Sequence, residues 1–184
     1  MNSDKEVRMA IRNQGFTLYE LLITLTLVAL LTGLATPSLS AMKARQQQRA
    51  EINALFHAIH LARKESIVKR KVVSLCPSLD GSSCLPGRDW SMGWLVFEND
   101  DRDSPPRVDP GETVLSSHRV DGFRIVANRS GFTLRATFLR ATNGTFVLCD
   151  PQSRIPPLAL VVSYTGRPRV ARHTTEGELY SCAD

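Results

Sequence analysis

From Leu21 to Met42 the chain has 22 consecutive residues without a charged side chain. As a helix rising about 1.5 Å per residue, the run is about 33 Å long, enough to cross a hydrocarbon core of about 30 Å. No later segment of the 184 residues is comparable, so a single membrane span is expected, over residues 16–42. Ahead of it Lys5, Arg8 and Arg12 outnumber Asp4 and Glu6, a modestly basic leader of the kind held on the cytoplasmic side. A secretory signal would have a shorter apolar core, about 7–15 residues, closed by a small-x-small cleavage site. Ala35-Thr36-Pro37 offers no such site, because Pro37 blocks the register. The unusual feature is on the near side, where Gly15-Phe16-Thr17-Leu18-Tyr19-Glu20 sets a glycine at the foot of the helix and a carboxylate one turn in. An acid there favours the helix dipole. Facing lipid alone it is costly, and intramembrane acids generally take a partner.

Beyond the span the chain turns polar without a break. Lys43, Arg45, Gln46, Gln47, Gln48 and Arg49 lead into Ile52, Leu55, Phe56, Ile59, Ala62 and Ile67, spaced three and four apart on one face of an amphipathic helix over residues 43–70. With no glycine or proline between Pro37 and Pro77, one helix is expected from about Thr17 to Lys69, closed by Lys69, Arg70 and Lys71. His57 and His60 lie three apart, but no third ligand accompanies them, so no metal site is expected.

From residue 71 to 184 the pattern becomes short β-branched and aromatic runs. Strands are expected over 72–76, 93–97, 113–116, 123–126, 132–138, 145–148 and 158–164, separated by turn residues such as Gly81, Pro105-Pro106, Asn143-Gly144 and Pro156-Pro157. The expected fold class is α+β, a long N-terminal helix packed on an all-β head. Four cysteines in so small a head point to an oxidising compartment. Cys76 and Cys84 flank a turn-rich stretch, which would leave Cys149 and Cys182 to tie back the tail. Three pairings are possible, and sequence alone does not choose among them. Neither spacing is Cys-x-x-Cys, which disfavours zinc. No Ser/His/Asp or Cys/His constellation and no phosphate-cradling glycine motif stands out, so neither catalysis nor a cofactor is expected.

Charge is segregated along the head. Glu98-Asn99-Asp100-Asp101-Arg102-Asp103 is acidic, and clustered oxygens suit calcium. It lacks the glycine and distant glutamate of an EF-hand loop, and a solvated acidic turn is the preferred reading. From Arg119 to Arg172 there are nine arginines and no lysine against Asp121 and Asp150, a local charge of +7. Arginine suits bidentate phosphate contact. Arg124, Arg135 and Arg140 read as strand residues facing water. Tyr164-Thr165-Gly166-Arg167-Pro168-Arg169-Val170-Ala171-Arg172 is denser. Gly166 permits a sharp turn, and Pro168 lacks an N–H, so a loop rather than a central strand is expected.

Gly15 through Leu22, followed by an apolar helix, resembles the class III signal of type IV pilins and type II secretion pseudopilins. The resemblance implies that a prepilin peptidase cuts after Gly15, removes residues 1–15 and methylates Phe16. It implies that Glu20 pairs with the amino terminus of a neighbouring Phe16 during assembly, and that Pro37 occupies the place of a helix-bending proline. In the head, Val73-Ser74-Leu75-Cys76-Pro77-Ser78 and Asp89-Trp90-Ser91-Met92-Gly93-Trp94-Leu95-Val96-Phe97 are similar to the GspH/FimT group of minor pilins and pseudopilins. Trp90 and Trp94 read first as core. The Gly166-Arg167-Pro168-Arg169 stretch resembles one in FimT-type subunits that bind DNA in natural transformation. That likeness implies sequence-independent contact with duplex DNA through Gly166, Arg167, Arg169 and Arg172, with Tyr164 and His173 as stacking partners. The alternative is a structural subunit that primes or caps a pilus or pseudopilus. The implied partners are major and minor pilins, the peptidase, the inner membrane and DNA. The implied location is the inner membrane with a periplasmic head, extracellular once assembled.

Overall fold

The computed structural model describes residues 15–136 and 141–182. The leader before Gly15, the end of the strand expected over 132–138, and Arg140 lie outside the described residues, as does the side chain of Pro37. The chain divides into two units, one ending at Leu39 and one running from Ser40 to Asp184. A single helix, α1, covers Leu18–Lys69. Its N-terminal part is exposed and contains an 18-residue window of mean hydropathy 2.0, long and apolar enough to cross a membrane.

In the second unit α1 packs on two four-stranded antiparallel sheets. The strands are β1 (Val73–Pro77), β2 (Gly93–Glu98), β3 (Val114–Arg119), β4 (Arg124–Ala127), β5 (Phe132–Leu134), β6 (Gly144–Cys149), β7 (Leu158–Val162) and β8 (Pro168–Ala171). Sheet A runs β3-β2-β1-β5, and sheet B runs β4-β6-β7-β8. Every ladder is antiparallel, with long loops over 78–92 and 99–113 joining β1, β2 and β3, and the chain crossing between the sheets after β3, β4 and β5.

The helix buries Ala44, Ile52, Leu55, Ile59 and Ala62 against both sheets. The stripe continues through Ser66, which is fully buried, and not through Ile67, which is half exposed. The expected face was thus displaced at its end, where spacing allowed either residue and only Ser66 meets the sheet. Polar ties fix the helix to the head. Glu51 Oε2 lies 2.9 Å from His118 Nε2 on β3, and Gln47 Nε2 donates to the Asp121 carbonyl at 2.8 Å. The helix stops at Arg70, which takes a left-handed φ of 55° without a glycine.

Trp90 joins the sheets. Its ring lies edge-on to Phe146 of β6 at 4.9 Å and to Phe132 of β5 at 5.8 Å, while those two stack at 4.3 Å. Central strands β1 and β2 are buried on both faces, because Cys76, Leu95 and Phe97 form a second small core with Cys84 and Val108 from the covering loops. Gly93 opens β2 at φ 136°, and a Cβ there would sit 2.3 Å from the His118 carbonyl oxygen. Only glycine fits that approach.

Candidate functional site

At the start of α1, Thr17 and Glu20 cap the helix reciprocally. The Glu20 N–H donates to Thr17 Oγ1 at 3.2 Å, and the Thr17 N–H donates to Glu20 Oε2 at 3.1 Å. This is a capping box, which satisfies two otherwise unpaired helix-end donors. The carboxylate therefore has a local partner within its own chain. Phe16 just before it is exposed.

The arginine-rich tail is not a loop but the edge of sheet B. β7 and β8 form a hairpin whose turn runs through Ser163 to Gly166. The Gly166 N–H donates to the Ser163 carbonyl at 2.9 Å, and the Ser163 N–H to the Arg167 carbonyl at 3.1 Å. Gly166 holds φ 69°, and a Cβ there would meet Leu134 Cδ2 at 3.0 Å. Pro168 opens β8 opposite Val162, and Arg169 lies opposite Val161. Proline is compatible with a strand at its first position and on an edge, which is how β8 escapes the expectation of a loop. Arg167, just before β8, and Arg169, within it, are two positions apart and both exposed. Neither forms an ion pair among the described residues. Tyr164 in the turn is 56% exposed.

Arg172 departs from the expected trio. It lies just past the end of β8 and lines a cavity with Arg45 and Arg49 of α1, which neither Arg167 nor Arg169 lines. His173 bridges Leu179 in the backbone pairing of the tail. Arg154 also leaves the count of open cations. It grips Asp150 with two charge-assisted bonds, Nε to Oδ2 at 2.8 Å and Nη2 to Oδ1 at 2.7 Å.

That pair sits beside the disulfide that ties the tail back. Cys149 at the end of β6 is joined to Cys182, and Cys76 of β1 is joined to Cys84. Asp150 is 6% exposed. The Arg154 guanidinium, helped by the Arg154 and Gln152 backbone N–H groups, holds its carboxyl at about 2 against an ordinary 3.8. A folded value below the ordinary one contributes stability that is complete above about pH 4 and is lost as pH falls toward 2. Asp150→Asn is therefore expected to be less stable than the parent at neutral pH, by about 2 kcal/mol. Denaturant unfolding at stepped pH should show that gap closing between about pH 4 and pH 2.

The acidic turn is only partly the solvated loop expected. Glu98 is 5% exposed, and its carboxylate accepts Lys69 Nζ and Lys71 Nζ, each at 2.7 Å, so it clamps the helix end to β2. Those lysines hold its carboxyl below the usual range. Asn99 is fully buried and donates to Ser74 Oγ at 3.0 Å. Further along, Asp101, Asp103 and Asp109 bring carboxylate oxygens within 4.8 Å of one another. His57 and His60 are exposed and contact Phe56.

A helix entering at a capped acid and two antiparallel sheets tied by Trp90 meet a specific counterpart among protein families. Residues 51–166, more than half the chain, match the family described as type II transport protein GspH. The chain belongs to the GspH family. Residues 11–36 match the prokaryotic N-terminal methylation motif. Among solved structures, the type IV minor pilin FimU of Pseudomonas aeruginosa superposes with a TM-score of 0.51 at 17% identity, over 71% of this chain and 92% of that one. A second crystal form of FimU gives 0.48 at 20% identity, over 68% and 91%. The minor pseudopilin EpsH, from the type 2 secretion system of Vibrio cholerae, gives 0.48 at 9% identity, over 68% and 96%. No curated protein sequence matches. The fold of this GspH-family chain is pilin-like, and it carries the family's domain together with an N-terminal methylation motif. The family match stops at Gly166, so Arg167, Arg169 and Arg172 lie beyond it.

Proposed function

We propose that this GspH-family subunit is a minor type IV pilin whose head binds duplex DNA, without sequence preference, for uptake in natural transformation. In this reading prepilin peptidase removes residues 1–15 and Phe16 is methylated. Residues 16–42 then anchor the chain in the inner membrane with the head in the periplasm, where its disulfides can form. Assembly with major and minor pilins carries the head outside the cell and moves Glu20 from its own Thr17 to the amine of a neighbouring Phe16. The observation supporting DNA contact is the pair Arg167, just before edge strand β8, and Arg169 within it, both exposed and without an acidic partner among the described residues. Guanidinium groups so placed suit backbone phosphates, which carry no base code.

The test is a titration of the full chain in neutral detergent with duplex DNA at several salt concentrations, beside Arg167→Ala/Arg169→Ala. Two lost phosphate contacts are expected to flatten the log–log salt slope by about 2 units. No binding, or a slope indifferent to the substitutions, overturns the DNA reading. It would favour the second one, a structural subunit that primes or caps a pilus or type II pseudopilus. The regular pairing of β8 with β7 supports that second reading, since strand arginines at an edge also serve as plain solvated surface.

A further inference from the structure

Arg45 and Arg49 lie one turn apart on α1, and Arg172 reaches the same place from the end of β8. With Gln48, Pro156 and Pro157 they line a cavity of about 320 Å³. Gln48 is 6% exposed, and its Nε2 donates to the Pro156 carbonyl at 3.0 Å, which fixes the cavity floor to the helix. None of the three guanidinium groups has an ion pair among the described residues, in contrast to Arg154 nearby. Three like charges around one concavity raise a field that only an anion relieves, and guanidinium forks match phosphate oxygens. We propose that this cavity is a phosphate site, filled by the head group of an anionic membrane lipid.

Position along the helix selects the lipid. Arg45 and Arg49 follow Met42, the last residue of the uncharged run, by three and seven positions. At about 1.5 Å per residue they stand about 5 and 10 Å beyond its end. The head-group zone outside the hydrocarbon core is about 5–8 Å deep on each side. Arg45 falls within that zone and Arg49 just past its outer edge, still close enough for basic side chains to attract anionic lipids. Arg172, arriving from the far end of the chain, turns a general attraction into a site with walls. The phosphate chemistry stands on the cavity alone, whereas the lipid source rests on reading residues 16–42 as a membrane span.

The test uses the full chain in neutral detergent micelles, titrated separately with phosphatidylglycerol, phosphatidylcholine, inorganic phosphate and a short DNA duplex. Bound ligand is counted by native mass spectrometry. One phosphatidylglycerol per chain is expected, held at least about tenfold more tightly than phosphatidylcholine or inorganic phosphate. Arg172→Gln should weaken it about tenfold. Arg119→Gln, an equal loss of charge on the other sheet, should leave it unchanged. Retention by Arg172→Gln as by the parent overturns the site, leaving only a juxtamembrane attraction. Equal binding of the two lipids, or of inorganic phosphate, overturns the lipid assignment. Duplex DNA that binds the parent and is lost in Arg172→Gln gives the cavity to nucleic acid instead. Failure of the span reading would show separately, as a full chain soluble without detergent, and the lipid titrations would still be readable.

Discussion

Trp90→Ala is expected to cost the head about 3–5 kcal/mol, the largest loss available from a single core side chain. Trp90 is fully buried, and its ring lies edge-on to both Phe132 of sheet A and Phe146 of sheet B, which themselves stack across the two sheets. Removing it takes away the area buried between the sheets and two edge-on aromatic contacts of about 1 kcal/mol each. It also leaves the Arg129 carbonyl without the Nε1–H donor now 3.2 Å away. The walls of the resulting hole belong to paired strands, which limits collapse. Thermal unfolding of the full chain in detergent should show a midpoint lower by about 10 °C or more. Trp90→Phe keeps much of the ring and loses the donor, so about 1–2 kcal/mol is expected. A drop of only a degree or two in the alanine variant would mean that the sheets do not depend on this contact.

Opening the Cys149–Cys182 disulfide with a double serine substitution is expected to cost about 3–4 kcal/mol. The bond closes a loop with a sequence separation of 33, against 8 for Cys76–Cys84. On the chain-entropy account the longer loop releases more disorder on unfolding, and the shorter one gives about 2.5 kcal/mol. The two variants should therefore rank in that order by denaturant midpoint. A second readout separates the tail from the head. The loop contains β7, β8 and the segment with Arg172, so without Cys149–Cys182 limited proteolysis should nick residues 173–182 first. Equal midpoints for both double variants, with the tail still protected, would show that packing and not the disulfide holds it.

Much of this architecture was legible in the sequence, and the failures have physical causes. An uncharged run, an unbroken amphipathic period and alternating β-branched runs each report local geometry, so α1 and strands β1 to β7 follow from their own residues. β8 was missed because Pro168 reads as a strand breaker, and nothing local says that the segment lies on an edge where a missing N–H is tolerated. Glu98 looked like one acid among several. Its burial depends on Lys69 and Lys71 arriving from the helix end, 29 and 27 positions away. Arg172 was grouped with Arg167 and Arg169 because they are neighbours in sequence. Its meeting with Arg45 and Arg49 is a product of the fold, with no signal in spacing. The capping role of Glu20 was present as Thr-x-x-Glu at positions 17–20 but was overshadowed by the leader motif around it.

The β7–β8 hairpin ends sheet B, so the outer side of β8 offers a row of backbone donors and acceptors to whatever approaches. An open strand edge of this kind invites sheet extension wherever two such heads meet. Pro168 removes one donor from that row, and Arg167 and Arg169 bring like charges together when two such edges meet. The same residues proposed to hold DNA thus also act as a guard against adhesion between subunits. Any experiment that neutralises them alters colloidal behaviour as well as nucleic-acid affinity, and the two are separated by following particle size alongside binding.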